Sequence, residues 1–151
     1  MNHIDQIMAI MVAGFDPTWG EGWNRRQVED ALLLPNTDAI IIDRHGLSMG
    51  DDQTTAAGFL LARHAPGEAE LLLIAVLPEY RGRGLGFRLI ELLRNQVRKL
   101  EGDRIFLEMR DNNPAEHLYR KAGFEPIGRR ANYYRTADGG RLDAVTYRLV
   151  V

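Results

Sequence analysis

Apolar positions along these 151 residues recur in two periods, and the alternation between them predicts the elements. Near the start, Ile4, Ile7, Met8 and Met11 fall at helical spacing, which predicts a helix over 4–12. Asn24 with Gln27 three residues later is a capping pair for a second helix that ends before Pro35. Short apolar runs then predict strands over 39–43, 55–63 and 68–77. The third is unbroken from 71 to 77, the pattern of a central strand. After a glycine-rich turn, Leu85, Leu89, Leu92, Leu93, Val97 and Leu100 form one stripe of a helix that Gly102 stops. Residues 104–110 read as a strand, and Asn112-Asn113-Pro114 opens a helix that ends at Ala122-Gly123. Two tail strands, 125–135 and 143–150, are joined through the hairpin signal Asp138-Gly139. Only the strand-helix-strand passage through the glycines demands parallel pairing. The expectation is a mixed α+β sheet flanked by helices, in one domain over 1–151.

Composition narrows the function classes. A net charge of −2 argues against a general nucleic-acid binder. No apolar run spans a bilayer and no cationic start precedes an apolar stretch, so the expected place is the cytoplasm, with no membrane partner. Cysteine is absent and Ser48 is the only serine, which argues against an acyl-enzyme on Cys or Ser. The four histidines (His3, His45, His64, His117) are scattered, so no metal site is expected. Transfer chemistry, if present, runs directly between two bound substrates. Residues 81–110 gather eight basic side chains against four acidic ones, a local balance that suits a polyanionic ligand.

The glycine-rich turn reads Arg81-Gly82-Arg83-Gly84-Leu85-Gly86-Phe87-Arg88. Alternate glycines let several N–H groups converge on one anion, and the helix that follows adds unpaired N–H groups and the positive end of its dipole. Arg81, Arg83 and Arg88 are expected to supply full charges. No Lys-Ser/Thr follows, so this is not a P-loop, and G-x-G-x-G is not the dinucleotide fingerprint. The segment reads as a pyrophosphate seat.

Four further groups are candidates for the site. Glu108 sits in the apolar strand Ile105-Phe106-Leu107-Glu108-Met109. Burial there would tune it toward a general base for an amine, and pairing with Arg110 or Arg104 is the equal alternative. Tyr119 lies on a helix face with Ala115, Leu118 and Ala122, as a core aromatic or as a phenol that serves a leaving thiolate. Tyr133 and Tyr134 are adjacent in a strand and are expected on opposite faces, one inward and one toward a cleft, or else to serve as hairpin aromatics in cross-strand pairs. Trp19 and Trp23, in the aromatic loop between the first two helices, are structural or wall a binding site.

The pattern [QR]-x-x-G-x-[GA], met by Arg81, Gly84 and Gly86, resembles the acetyl-CoA loop of the GCN5-related N-acetyltransferases (GNAT). Ala69-Glu70-Leu71-Leu72, Phe106-Leu107-Glu108-Met109-Arg110, Leu118-Tyr119-Arg120-Lys121-Ala122-Gly123-Phe124 and Arg129-Arg130-Ala131-Asn132-Tyr133-Tyr134 follow in an order similar to that of the bacterial RimI-type N-terminal alanine acetyltransferases of a ribosomal protein. The resemblance implies a mostly antiparallel, splayed sheet, acetyl-CoA as donor and a peptide or protein N-terminus as acceptor. It further implies Glu108 as proton acceptor, Tyr119 as proton donor, and Ile74, Ala75 and Val76 as backbone contacts to the acetyl and pantetheine arm. The loop Arg81, Gly82, Arg83, Gly84, Leu85, Gly86 and Phe87 corresponds to the pyrophosphate site. The cofactor asparagine falls best on Asn112, with Asn113 as the alternative. Related enzymes hold the acceptor between segments matching the Trp19 loop and Tyr133-Tyr134. Leu73 departs from the family, standing where a polar residue usually sits beside the acceptor amine. Acetylation of a small amine, and a non-catalytic acyl-CoA-binding domain, are the alternatives.

Overall fold

In the computed structural model, which describes residues 3–15, 21–49, 55–136 and 138–151, the elements follow the predicted order. They are α1 (His3–Gly14), α2 (Arg25–Leu33), β1 (Thr37–Ile42), β2 (Gly58–Ala65), β3 (Glu68–Val76), α3 (Leu85–Lys99), β4 (Arg104–Arg110), α4 (Glu116–Ala122), β5 (Glu125–Arg135) and β6 (Arg141–Val150). The predicted capping pair is a full capping box: the Asn24 side chain accepts the Gln27 N–H, and the Gln27 side chain accepts the Asn24 N–H, both at 2.8 Å. At the other boundary tested by sequence, Gly123 adopts φ +105° and stops α4. The helix stripe holds except at its end, where Leu100 is exposed beyond the last turn of α3.

One six-stranded sheet has the order β1-β2-β3-β4-β6-β5, antiparallel except between β3 and β4. Each face has its own core. On one, α3 lays Leu89, Ile90, Leu93 and Val97 over Ile40, Ile42, Leu60, Ile105 and Leu107. On the other, Ile7, Ile10 and Met11 of α1 and Val28 of α2 cover Ile41, Phe59 and Leu61. Neighbouring residues of β1 and β2 divide between these cores because strand side chains alternate.

β3 breaks that alternation. Leu61 pairs with Leu73 but Ala62 pairs with Leu71, so Leu72 is an extra residue, a bulge. Before it, Ala69 and Leu71 face the α3 core. After it, the odd positions Leu73 and Ala75 face the α1–α2 core, and Ile74 and Val76 turn toward α3. The bulge bends β3, and its pairing with β4 is confined to Glu68, Glu70 and the alanine between them. From there to Val76 the two strands diverge, and the gap between them is the floor of a cleft. Among the described residues, no helix is long and apolar enough to cross a membrane.

Candidate active site

The cleft encloses about 930 Å³ and is lined by both diverging strands, the glycine turn, α4, Tyr134 and the connection between α1 and α2. The N–H of Leu77 donates to the Ala57 carbonyl at 2.8 Å. Because antiparallel neighbours exchange bonds at alternate residues, this phase ties Leu73 and Ala75 to β2 and turns the backbone of Ile74 and Val76 toward the gap. No strand pairs with that edge beyond Glu70. Of the three β3 positions expected to offer backbone contacts, two therefore present them, and Ala75 contributes a side chain to the wall.

α3 begins at the mouth of the gap, directly after the glycines. Gly82 and Gly84 have φ of +77° and +78°, and a Cβ on either would project into open space with nothing within 4 Å. The N–H groups of residues 82–87 have no backbone partner among the described residues; the first intrahelical bond is from the Arg88 N–H to Gly84 at 2.9 Å. Gly86 has a different reason to be glycine. Its Cβ would lie 2.9 Å from Leu118 Cδ2, so it permits close contact between α3 and α4.

The three arginines expected at the seat part company: Arg81 lines the cleft, and Arg83 and Arg88 do not. Arg81 donates to the Val76 carbonyl at 3.2 Å and the Gly14 carbonyl at 3.1 Å, clamping the end of α1 to the end of β3. Arg88 donates to the Gly46 carbonyl at 3.1 Å and pairs with Glu91 at 2.8 Å. Arg83 lies outside the cleft lining, with its guanidinium over the Tyr80 ring. Arg81 keeps its full charge, since carbonyls do not neutralise it, so the positive character of the seat combines that charge with the backbone N–H groups.

Glu108 lines the opposite wall, and the expected burial is not found: its side chain is 26% exposed. Its partner is neither Arg110 nor Arg104 but Arg130 of β5, which donates Nε at 3.0 Å and Nη2 at 2.7 and 2.6 Å. Thr146 reaches the same carboxylate at 3.5 Å. Tyr119 is buried and lines the cleft, edge-on to Phe124 at 5.7 Å. Burial, with the Glu21 charge adding to it, pushes its phenol far above the ordinary value.

Asn113 lines the cleft and Asn112 does not, which reverses the preference from spacing. Asn112 takes a left-handed conformation, φ +72°, and accepts from Arg110. Tyr133 and Tyr134 do not face opposite sides. Asp143 accepts the Asn132 N–H at 2.9 Å and Asn132 is left-handed, φ +54°, within a register shift between Arg130 and Tyr134. The two rings meet edge to face at 5.2 Å. Tyr134 lines the cleft, its phenol pushed up to about 12 by burial and the Glu108 charge, while Tyr133 is exposed under the Arg130 guanidinium. Leu73 is buried in the cleft floor. Trp19 lies outside the described residues.

Sequence reasoning missed Glu21 and Lys121, which also line the cleft; Trp23, expected to be structural or to wall a binding site, lines it as well. Glu21 pairs with Arg110 at 2.9 Å, the two side chains 18% and 6% exposed. Nothing local in the sequence signals this contact, because its partners are 89 residues apart.

A profile described as the acetyltransferase (GNAT) family matches residues 4–124, the stretch that carries the diverging strands, the glycine turn and α4. The chain belongs to that family. Within the family it stands with the RimI-type N-acetyltransferases. The "N-alpha-acetyltransferase RimI" of Mycobacterium tuberculosis is 43% identical over 145 residues, 95% of this chain and 82% of that one. The "[Ribosomal protein bS18]-alanine N-acetyltransferase" of Haemophilus influenzae is 40% identical over 88 residues, 58% of this chain and 60% of its relative's length. The crystal structure of the ribosomal-protein-S18-alanine N-acetyltransferase of Escherichia coli superposes with a TM-score of 0.78 at 26% identity, covering 98% of this chain and 87% of that one.

Proposed function

We propose that this chain moves the acetyl group of acetyl-CoA to the N-terminal α-amine of a protein, in the cytoplasm, with the N-terminal alanine of ribosomal protein bS18 as acceptor. The observation that carries the reading is the convergence of three features on one cleft. These are a helix start with unpartnered N–H groups, an unpaired β3 edge, and a carboxylate and a protonated phenol on the facing wall. Acetyl-CoA, when bound, supplies an activated acetyl thioester.

The open space over Gly82 and Gly84 and the free N–H groups of residues 82–87 fit a pyrophosphate. The backbone groups of Ile74 and the N–H of Val76, whose carbonyl already accepts from Arg81, are offered to an extended arm laid along the gap. Asn113 and Phe87 complete the cofactor side. Glu108 removes a proton from the acceptor's ammonium, because nitrogen needs a free lone pair to attack. The ammonium meets the carboxylate by replacing contacts now made by Arg130. Tyr119, kept protonated by burial, serves the departing thiolate. Leu73 makes the floor apolar, which favours a small uncharged first residue.

The test is acetyl transfer to short peptides differing at their first residue, with spermidine as a small-amine competitor. Peptides beginning with Ala, Ser or Met should give the highest kcat/KM. A clear preference for spermidine over every peptide would sink the peptide reading.

A further inference from the structure

The proposed transfer leaves the part-buried Glu21–Arg110 pair without a task. One Glu21 oxygen accepts from Arg110 Nε at 2.9 Å, and the other accepts from Asn113 Nδ2 at 3.3 Å. Asn113 Oδ1 in turn accepts the Ala115 N–H at 2.9 Å. Ala115 precedes α4 and has no side-chain oxygen of its own to cap it, so Asn113 performs that function. The Ala115 carbonyl then receives the Tyr119 N–H at 3.1 Å. A continuous set of contacts thus runs from β4, through a carboxylate on the far connection, to the turn that presents Tyr119. A carboxylate is suited to the middle of it, since it accepts from a guanidinium and an amide at once.

We propose that Glu21 is a positioning residue: by gripping Arg110 and Asn113 together it locks the first turn of α4 and holds Tyr119 at the cleft. The role of Tyr119 rests on the reading above; the lock itself does not. The same carboxylate, by its charge, helps burial to keep the phenol protonated.

Two variants separate this from a general structural role. Glu21→Gln keeps an oxygen for Arg110 but turns an NH2 toward the Asn113 amide, and Glu21→Ala removes both contacts. Native-state hydrogen exchange of the ligand-free protein should show at least a fivefold faster exchange at residues 115–119 in both, with α3 unchanged. Unchanged exchange there overturns the lock, whatever the acceptor. The kinetic arm is a double-mutant cycle with Tyr119→Phe. Glu21→Gln should lower kcat about tenfold in the parent, with KM for acetyl-CoA kept, and less than twofold in Tyr119→Phe. Equal penalties in both backgrounds overturn the positioning of Tyr119. Absence of transfer to any peptide by the unaltered chain would sink the proposed function instead, and the exchange comparison would still decide the lock.

Discussion

Glu108 and Arg130 meet through contacts of 2.6–3.0 Å at the mouth of the cleft, so the proposed base is held in place by a cation rather than by burial. Glu108→Gln preserves shape but removes the proton acceptor. It should lower kcat by roughly 10²–10⁴ while calorimetry finds acetyl-CoA affinity unchanged. Turnover at the parent rate would remove Glu108 from the mechanism. Tyr119 makes a separate, pH-dependent prediction. An unfolded phenol ionises above about pH 10, but the buried Tyr119 retains its proton there. Over that range the folded state binds more protons than the unfolded one, so stability falls as pH rises. Between about pH 9 and about pH 11 the parent should lose more Tm than Tyr119→Phe does. Equal losses would show that the Tyr119 phenol does not contribute to alkaline destabilisation.

At the scale of elements, the three glycines of one short turn serve two purposes. Gly84 lies before α3 with open space over its α-carbon, and Gly86 lies within α3 against Leu118. Gly84→Val should therefore weaken acetyl-CoA binding strongly, because the side chain projects where an anion would sit and the backbone is left-handed. Gly86→Ala should instead leave acetyl-CoA affinity nearly unchanged and move stability by no more than about 1 kcal/mol, because alanine's helix propensity offsets the shift its Cβ asks of the Leu118 side-chain tip. Titration calorimetry and thermal melts on both variants would reveal any reversal of these two effects. α2 owes its start to the capping box, so Asn24→Ala should cost about 1 kcal/mol in denaturant unfolding.

For the whole molecule, the function proposed depends on a gap in the middle of the sheet. The bulge at Leu72 bends β3 from β4, and α1, α2 and α3 keep the sheet intact by covering both faces around the opening. The acceptor side is bounded by β5, where the left-handed Asn132 brings Tyr134 into the cleft and leaves Tyr133 outside. Tyr134→Ala should change the ranking of acceptor peptides by their second and third residues. Tyr133→Ala should have a smaller effect, exerted through its edge contact with Tyr134. A kcat/KM series in which Tyr133→Ala has the larger effect would place the acceptor outside the cleft, over Tyr133.

The sequence alone determined the order of elements, because helical and strand periods, the Asn24–Gln27 cap and the stop at Gly123 are local signals. It also placed Glu108 in β4, Tyr119 in α4 and the glycines before α3, since each is marked by its immediate neighbours. Tertiary structure decided the rest. The apolar run from 71 to 77 hides the Leu72 bulge, because every residue suits either core and no pattern shows which face each takes. The two tyrosines break alternation through a backbone turn held by Asp143, on the neighbouring strand. Partners of charged groups were least legible: Arg130 for Glu108, backbone carbonyls for Arg81 and Glu21 for Arg110 are all brought together by folding. Periodicity reports which face a side chain takes, but a charge is satisfied by whatever the fold sets beside it.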